Sequence, residues 1–318
     1  MVGLTSSLFV LSFSNSLNAE GFTSHQGRFW KPKQVSCGDT INTYTLLTAD
    51  LDCSDHSGSA ALTVEKGAKL YLNGKKIIGN SNINCIEIIG DGAKVWRGTV
   101  MYCEEGILIK GSDRNKVIDV KACNNKKRGF RIKNGHGNRL FECLAKDNGR
   151  KGFSIEEGDD NLVVYCLATQ NGQQGFNIEE DAAGNRIYYN KAYANCRDGI
   201  EIAKQSNDNW VVNNIVEDNG NREICDKFAE NPKDPEDDYY YKPWFYAGID
   251  ITDNSENNKI KDNSACGNLG CIGSNDFPCA ARERNFWDEN LDENGYYDSP
   301  NEWTNNTVCP ECNPNLID

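Results

Sequence analysis

Apolar and polar residues alternate along this chain in short runs, without the spacing of a helix. In Gly152-Phe-Ser-Ile the apolar Phe153 and Ile155 point to one side and Ser154 to the other, which is the period of an extended strand. The phrase recurs as Gly106-Ile-Leu-Ile, Gly129-Phe-Arg-Ile, Gly175-Phe-Asn-Ile, Gly199-Ile-Glu-Ile and Gly248-Ile-Asp-Ile. The first five glycines of the series are 23, 23, 23 and 24 residues apart. An Asn follows each phrase at 115, 138, 161, 185, 209 and 258, and a second at 125, 148, 171, 195, 219 and 268. Between them a small residue recurs at Ala122, Ala145, Ala168, Ala192 and Ala265. A second short strand is predicted around Val117, Leu140, Val163, Ile187, Val211 and Ile260. No intervening segment is long and periodic enough for a crossover helix. One such unit cannot bury its apolar face alone, so units must stack, placing like residues roughly 4.8 Å apart. Asn suits the bends by tolerating left-handed backbone and by bonding the Asn of the next coil.

The pattern resembles the right-handed parallel β-helix of the pectin-lyase-like superfamily over about residues 60–279. Cys37-Gly-Asp-Thr, Leu51-Asp-Cys53 and Leu70-Tyr-Leu-Asn-Gly74 look like the entry segment of such proteins. The expected architecture is an all-β solenoid of about 23-residue coils over 61–279, with an entry segment or cap at 20–60 and a C-terminal cap or tail at 280–318. After Asn219 the next Gly arrives late, at Gly248, so a loop of about 25 residues is inserted over 221–247. The superfamily holds polysaccharide lyases, hydrolases, epimerases and non-catalytic proteins, and the fold does not choose among them.

Composition narrows the partners. With 34 Lys+Arg against 47 Asp+Glu the formal charge is -13, which excludes a general nucleic-acid binder. No apolar run reaches the length that spans a bilayer. Leu8 to Phe13 followed by Ala19 has the layout of a secretory signal peptide over 1–19. All 14 Cys lie beyond it, which fits disulfides in a secreted protein. Cys225 is placed to tie the insert to the body, and Cys143 over Cys166 should be stacked neighbours.

The outward positions of the first strand carry the candidate chemistry. Two residues after each Gly stand Arg131, Ser154, Asn177, Glu201 and Asp250. Four after stand Lys133, Glu156 and Glu179, and one before stand Arg128, Lys151 and the acidic Asp198. The upper coils are basic and the lower ones acidic, which suggests an acidic polysaccharide lying along the face. In a lyase or epimerase, Arg131 or Lys133 would act beside Glu156 and Glu179 as the catalytic set. Arg128, Lys151, Glu201, Asp250, Tyr241 and Trp244 would bind substrate, the two aromatics from the insert by stacking on sugar rings. Glu156 over Glu179 places like charges on adjacent strands, and calcium is one candidate to offset them; Lys133 and Lys204 on a solvated face are the other.

Arg131-Ile-Lys133, Gly135-His-Gly137 and Gly158-Asp-Asp160 look like pieces of the polygalacturonase-type hydrolase signature, but in reversed order. The Asp-Pro-His motif of alginate epimerases is not present. Within the enzyme class a lyase or epimerase is preferred to a hydrolase. The alternative is a non-catalytic wall, matrix or adhesion protein that holds glycan or a protein partner on the same face. The oligomeric state is not legible.

Overall fold

The computed structural model describes residues 34–229, 247–268, 286–288 and 301–308. The leader at 1–19, the aromatic stretch that holds Tyr241 and Trp244, and Cys271, Cys279, Cys309 and Cys312 lie outside the described residues. The described chain is a parallel β-solenoid. Each regular coil supplies three strands, as in Phe153–Glu156, Leu162–Val164 and Leu167–Thr169. The first strands stack into a ten-stranded parallel sheet running from Asp39–Ile41 to Phe286–Asp288. The second and third strands form two further stacks. The eight-residue strands Lys94–Met101 and Lys116–Cys123 are long enough to belong to both.

Register follows the sequence period. Phe130 pairs with Phe153, and Phe153 with Phe176. Their rings stack inside the coil at 4.7 and 4.8 Å, within 5° and 7° of parallel. The interior is completed by Ile132, Ile155 and Ile178 on the same strands and by Leu140, Val163 and Ile187 on the second. Each such buried side chain contributes about 2 kcal/mol.

The co-periodicity of Gly, Ala and Asn has a steric cause. A Cβ on Gly129 would sit 2.8 Å from the Gly152 carbonyl oxygen, 2.9 Å from Ala145 Cβ and 2.9 Å from Asn148 Nδ2. The glycine is required by close packing, because its backbone is not left-handed. The small Ala leaves room for it, and the Asn closes the corner.

The bends revise the expected role of Asn. The left-handed residue is the one before each ladder Asn: Arg114, Asp147, Asp160, Gln170 and Ala194 have φ of 55°, 56°, 54°, 56° and 53°. The ladder Asn itself is regular and fully buried, and it bonds along the stack. Asn148, Asn171 and Asn195 link side chain to side chain at 2.9 Å. A third ladder runs through Asn190, Asn214 and Asn263. Cys166 and Cys143 continue its column as buried free thiols, the Cys143 amide donating to Cys166 Sγ at 3.3 Å.

Three features lie outside the expected pattern. Residues Glu302–Thr304 and Thr307–Val308, with Phe286–Asp288, pair in register with the preceding coil. The coils therefore run past 279, hidden because Asn285-Phe-Trp-Asp lacks the Gly phrase. At the other end the entry segment already forms a coil, since Asp39–Ile41 and Tyr44–Leu46 pair with the next one. The insert opens with a helix, Arg222–Ala229, whose third residue Ile224 donates its amide to the Asn221 side chain. The Cys196–Cys225 disulfide fastens this helix to the body, and Lys227 reaches Asp147 at 2.6 Å.

Candidate functional site

The outer positions of the first sheet stand in register as the repeat requires: Arg131, Ser154, Asn177, Glu201 and Asp250 in one column, Lys133, Glu156 and Glu179 in the next. Much of this face is closed to solvent, however, although Arg131, Lys133 and Glu201 are only half-buried. Glu105, Lys151, Ser154, Glu156, Asn177, Glu179, Asp198 and Asp250 are all buried. Alternation places these side chains outside the coil, but it cannot show that the outside is covered.

At the upper end the charges match. Glu105 accepts from Arg128 at 2.9 Å and lies 3.5 Å from Arg131. Glu156 accepts from Arg131 Nε at 3.0 Å, from Ser154 Oγ at 2.9 Å, and pairs with Arg128 at 3.1 Å. Burial works to raise the Glu156 carboxyl, but Arg128 and Arg131 outweigh it and hold it below the ordinary range. Glu105 is pushed up by burial in spite of the same two arginines.

In the middle, Lys151 bonds Glu179 directly and Asn177 at 2.9 Å, and Lys204 reaches Glu179 at 3.0 Å and Glu180 at 3.3 Å. Burial again acts to raise Glu179, yet the two lysines bring it down to about 2. The like charges of Glu156 and Glu179 are thus offset by protein cations. Lys133 stands apart, 3.5 Å from Glu157.

The lower end differs. Asp198, Glu201 and Asp250 bring carboxylate oxygens within 4.8 Å of one another. Gln174 and Asn177 donate to Glu201, the former at 3.0 Å, and the Ala247 amide donates to Asp198 at 2.6 Å. Among the described residues neither Asp198 nor Glu201 forms an ion pair. Burial, reinforced by Glu201, pushes Asp198 up to about 8, and burial also raises Glu201. At neutral pH the group therefore holds a proton between close oxygens, or it would hold a cation of hard-ligand preference.

Of the residues singled out from sequence, Arg128, Arg131, Lys151, Glu156 and Glu179 come together as a buried ion-pair network, and Glu201 and Asp250 join the acidic group. Tyr241 and Trp244 lie outside the described residues. Asp198 was read only as an acidic position of its column, and its place in a carboxylate group was missed. Its signal was available: it directly precedes Gly199, in the column next to that of Glu201. His136 is an exposed bend residue, 3.3 Å from Asp159.

Residues 60–216 and, overlapping them, 105–277 match the family model described as the right handed beta helix region. No curated protein sequence matches the chain. Among solved structures, ORF18 of Geobacillus virus E2 is 10% identical and aligns over 86% of this chain and 54% of its own, with a TM-score of 0.50. The chain thus spans about half the length of that viral protein, and the likeness is one of fold. The A-module of Azotobacter vinelandii mannuronan C-5 epimerase AlgE6 is 10% identical over 85% of this chain and 91% of its own, with a TM-score of 0.49. DFA-IIIase of Arthrobacter chlorophenolicus A6, solved with DFA-III, is 12% identical over 73% and 65%, with a TM-score of 0.48.

Proposed function

Since the chain belongs to the right-handed β-helix family, we propose that it takes an acidic polysaccharide along the outer face of the first sheet and acts on it at Asp198, Glu201 and Asp250. The observation that carries this reading is the contrast within one buried face. Arg128, Arg131, Lys151 and Lys204 are committed to Glu105, Glu156 and Glu179, whereas among the described residues Asp198 and Glu201 lie beside each other and form no ion pair. Burying carboxylates together costs stability and is found where their chemistry is used.

The three carboxylates fit a hard divalent cation such as calcium, since each offers an oxygen and their like charges call for a positive counterpart. Bound there, the cation would supply positive charge against a uronate carboxylate, which makes the adjacent C–H more acidic. Without a cation, burial and Glu201 keep Asp198 protonated at neutral pH; with a cation bound, the three carboxylates would be ionised and act as its ligands. Arg131 and Lys133 serve this reading as positioning charges, because an ion-paired base is a poor proton acceptor. A uronan lyase or epimerase uses these elements most directly. The disulfides Cys37–Cys53, Cys85–Cys103 and Cys196–Cys225 support an oxidising, extracellular setting.

A second reading, a non-catalytic glycan holder, is favoured by the closed Glu105–Arg128–Arg131–Glu156 network, which neutralises itself. The test is incubation of the protein with a panel of uronans, with and without calcium. Ultraviolet absorbance of unsaturated products, or altered uronate stereochemistry by NMR, supports catalysis. Neither change in any substrate refutes catalysis and favours the second reading.

A further inference from the structure

The outer face of the second sheet shows the opposite arrangement of charge. In each of its short strands the middle residue points inward: Leu70, Val95, Val117, Leu140, Val163 and Ile187 are buried. The first residue therefore points outward, and in successive coils it is Lys69, Lys94, Lys116, Arg139, Leu162 and Arg186. Five of these six rungs are basic. The third residue also points outward, giving Tyr71, Trp96, Ile118, Phe141, Val164 and Tyr188 in the same registers. A file of cations thus runs beside a file of aromatic and aliphatic side chains.

Among the described residues none of Lys69, Lys94, Lys116, Arg139 and Arg186 forms an ion pair, although Arg97 pairs with Asp119 and Arg114 with Asp91 on neighbouring bends. Adjacent rungs are roughly 4.8 Å apart, inside the roughly 8 Å screening length of physiological salt. Like charges directly opposite one another on paired strands are destabilising. On a chain of net charge -13 the acidic residues to neutralise this file are abundant, yet none stands on these six rungs; further down the same column Trp210 and Lys259 follow, and Glu302 pairs with Lys259. Beside the file the Tyr71 ring stacks on Trp96 at 5.3 Å and 16°, with Tyr44 at 6.3 Å from the same indole. Such rings combine an apolar face with a polar edge, as sugar-binding surfaces do.

We propose that this face binds a linear polyuronate, with its carboxylates on Lys69, Lys94, Lys116 and Arg139 and its sugar rings against Tyr71 and Trp96. Charge complementarity selects the occupant. The cations stand in single file with one charge per coil, which matches a single strand carrying one carboxylate per sugar. A duplex nucleic acid needs a broad basic footprint on a basic domain, and the sequence pI here is about 4.8. The surface is independent of the first-sheet carboxylates, and the two readings stand or fall separately.

The test is calorimetric titration of a defined oligogalacturonate into the full chain at low and raised salt. We expect saturable binding that weakens with salt. K94A/K116A/R139A should bind roughly tenfold more weakly, since three exposed charge contacts are each worth a few-fold. K94R/K116R/R139K should retain binding. The unfolding midpoint of the triple alanine variant should be unchanged or raised, because repulsion is removed. Wild-type-like binding by the triple alanine variant overturns the proposal. So does absence of binding by the wild type, or tighter binding of a poly(dT) strand than of the uronate.

Discussion

Asparagine has two separable jobs in this solenoid, and Asn171 and Asn213 divide them. Asn171 is fully buried, and its Oδ1 accepts from the Asn148 amide at 3.1 Å and from Asn148 Nδ2 at 2.9 Å. Its Nδ2 donates to the Ala145 carbonyl at 3.2 Å and to Asn195 Oδ1 at 2.9 Å. Truncation to Ala or Gly leaves the Asn148 amide without its partner, at about 2 kcal/mol, and removes three further bonds of about 0.5–1 kcal/mol each. The expected loss is about 4 kcal/mol, or roughly 6 °C in melting temperature for a chain of this size. Asn213 has φ of 57°, so Gly is accommodated there without strain, and N213G should change stability by less than about 0.5 kcal/mol. Thermal and urea unfolding of N171A, N171G and N213G measure the difference. If N171G is as mild as N213G, the ladder amides do not hold the coils together and the account of the bends is wrong.

Gly152→Ala should cost about 1–3 kcal/mol by urea unfolding, because the added Cβ would lie 2.6 Å from the Gly175 carbonyl oxygen and 2.9 Å from Asn171 Nδ2. Glu179 is held down to about 2, below the roughly 4.3 of an unfolded Glu. Its contribution is therefore complete above that value and is lost as pH falls towards 2. Melting temperatures of the wild type should decline more steeply across that window than those of E179Q. Asp198 is displaced the other way, up to about 8. The folded chain then binds the extra proton, and stability falls as pH rises from about 4 to 8. In a chelating buffer, D198N should flatten that part of the profile and be the more stable protein at pH 7.

The fold was legible because a solenoid writes its period into the sequence: Phe130, Phe153 and Phe176 are one column in both. The ladder at Asn190, Asn214 and Asn263 was less visible, because Cys143 and Cys166 hold its upper positions. The coil at 286–308 was hidden for a similar reason, since it lacks the Gly phrase while keeping Asn301 and Asn306 at the bends. The candidate site was only half legible. Alternation gave the columns of Arg131, Glu156, Glu179 and Glu201, but whether they meet water depends on what covers the sheet. The matching of Lys151 to Glu179 needs side-chain reach across coils, which strand register alone does not specify. Asp198 was legible only as an acidic position of its column, because its character comes from burial beside Glu201 and not from any motif. Disulfide pairing was likewise beyond spacing: Cys85–Cys103 joins residues 18 apart within one coil, and Cys196–Cys225 spans the start of the insert.

The reading of the first sheet turns on whether Asp198, Glu201 and Asp250 form a working centre. Calorimetric titration of calcium into the wild-type chain and into D198N/E201Q addresses this directly. A single saturable site in the wild type that disappears in the double variant is the predicted result. Identical titrations of the two proteins would contradict it.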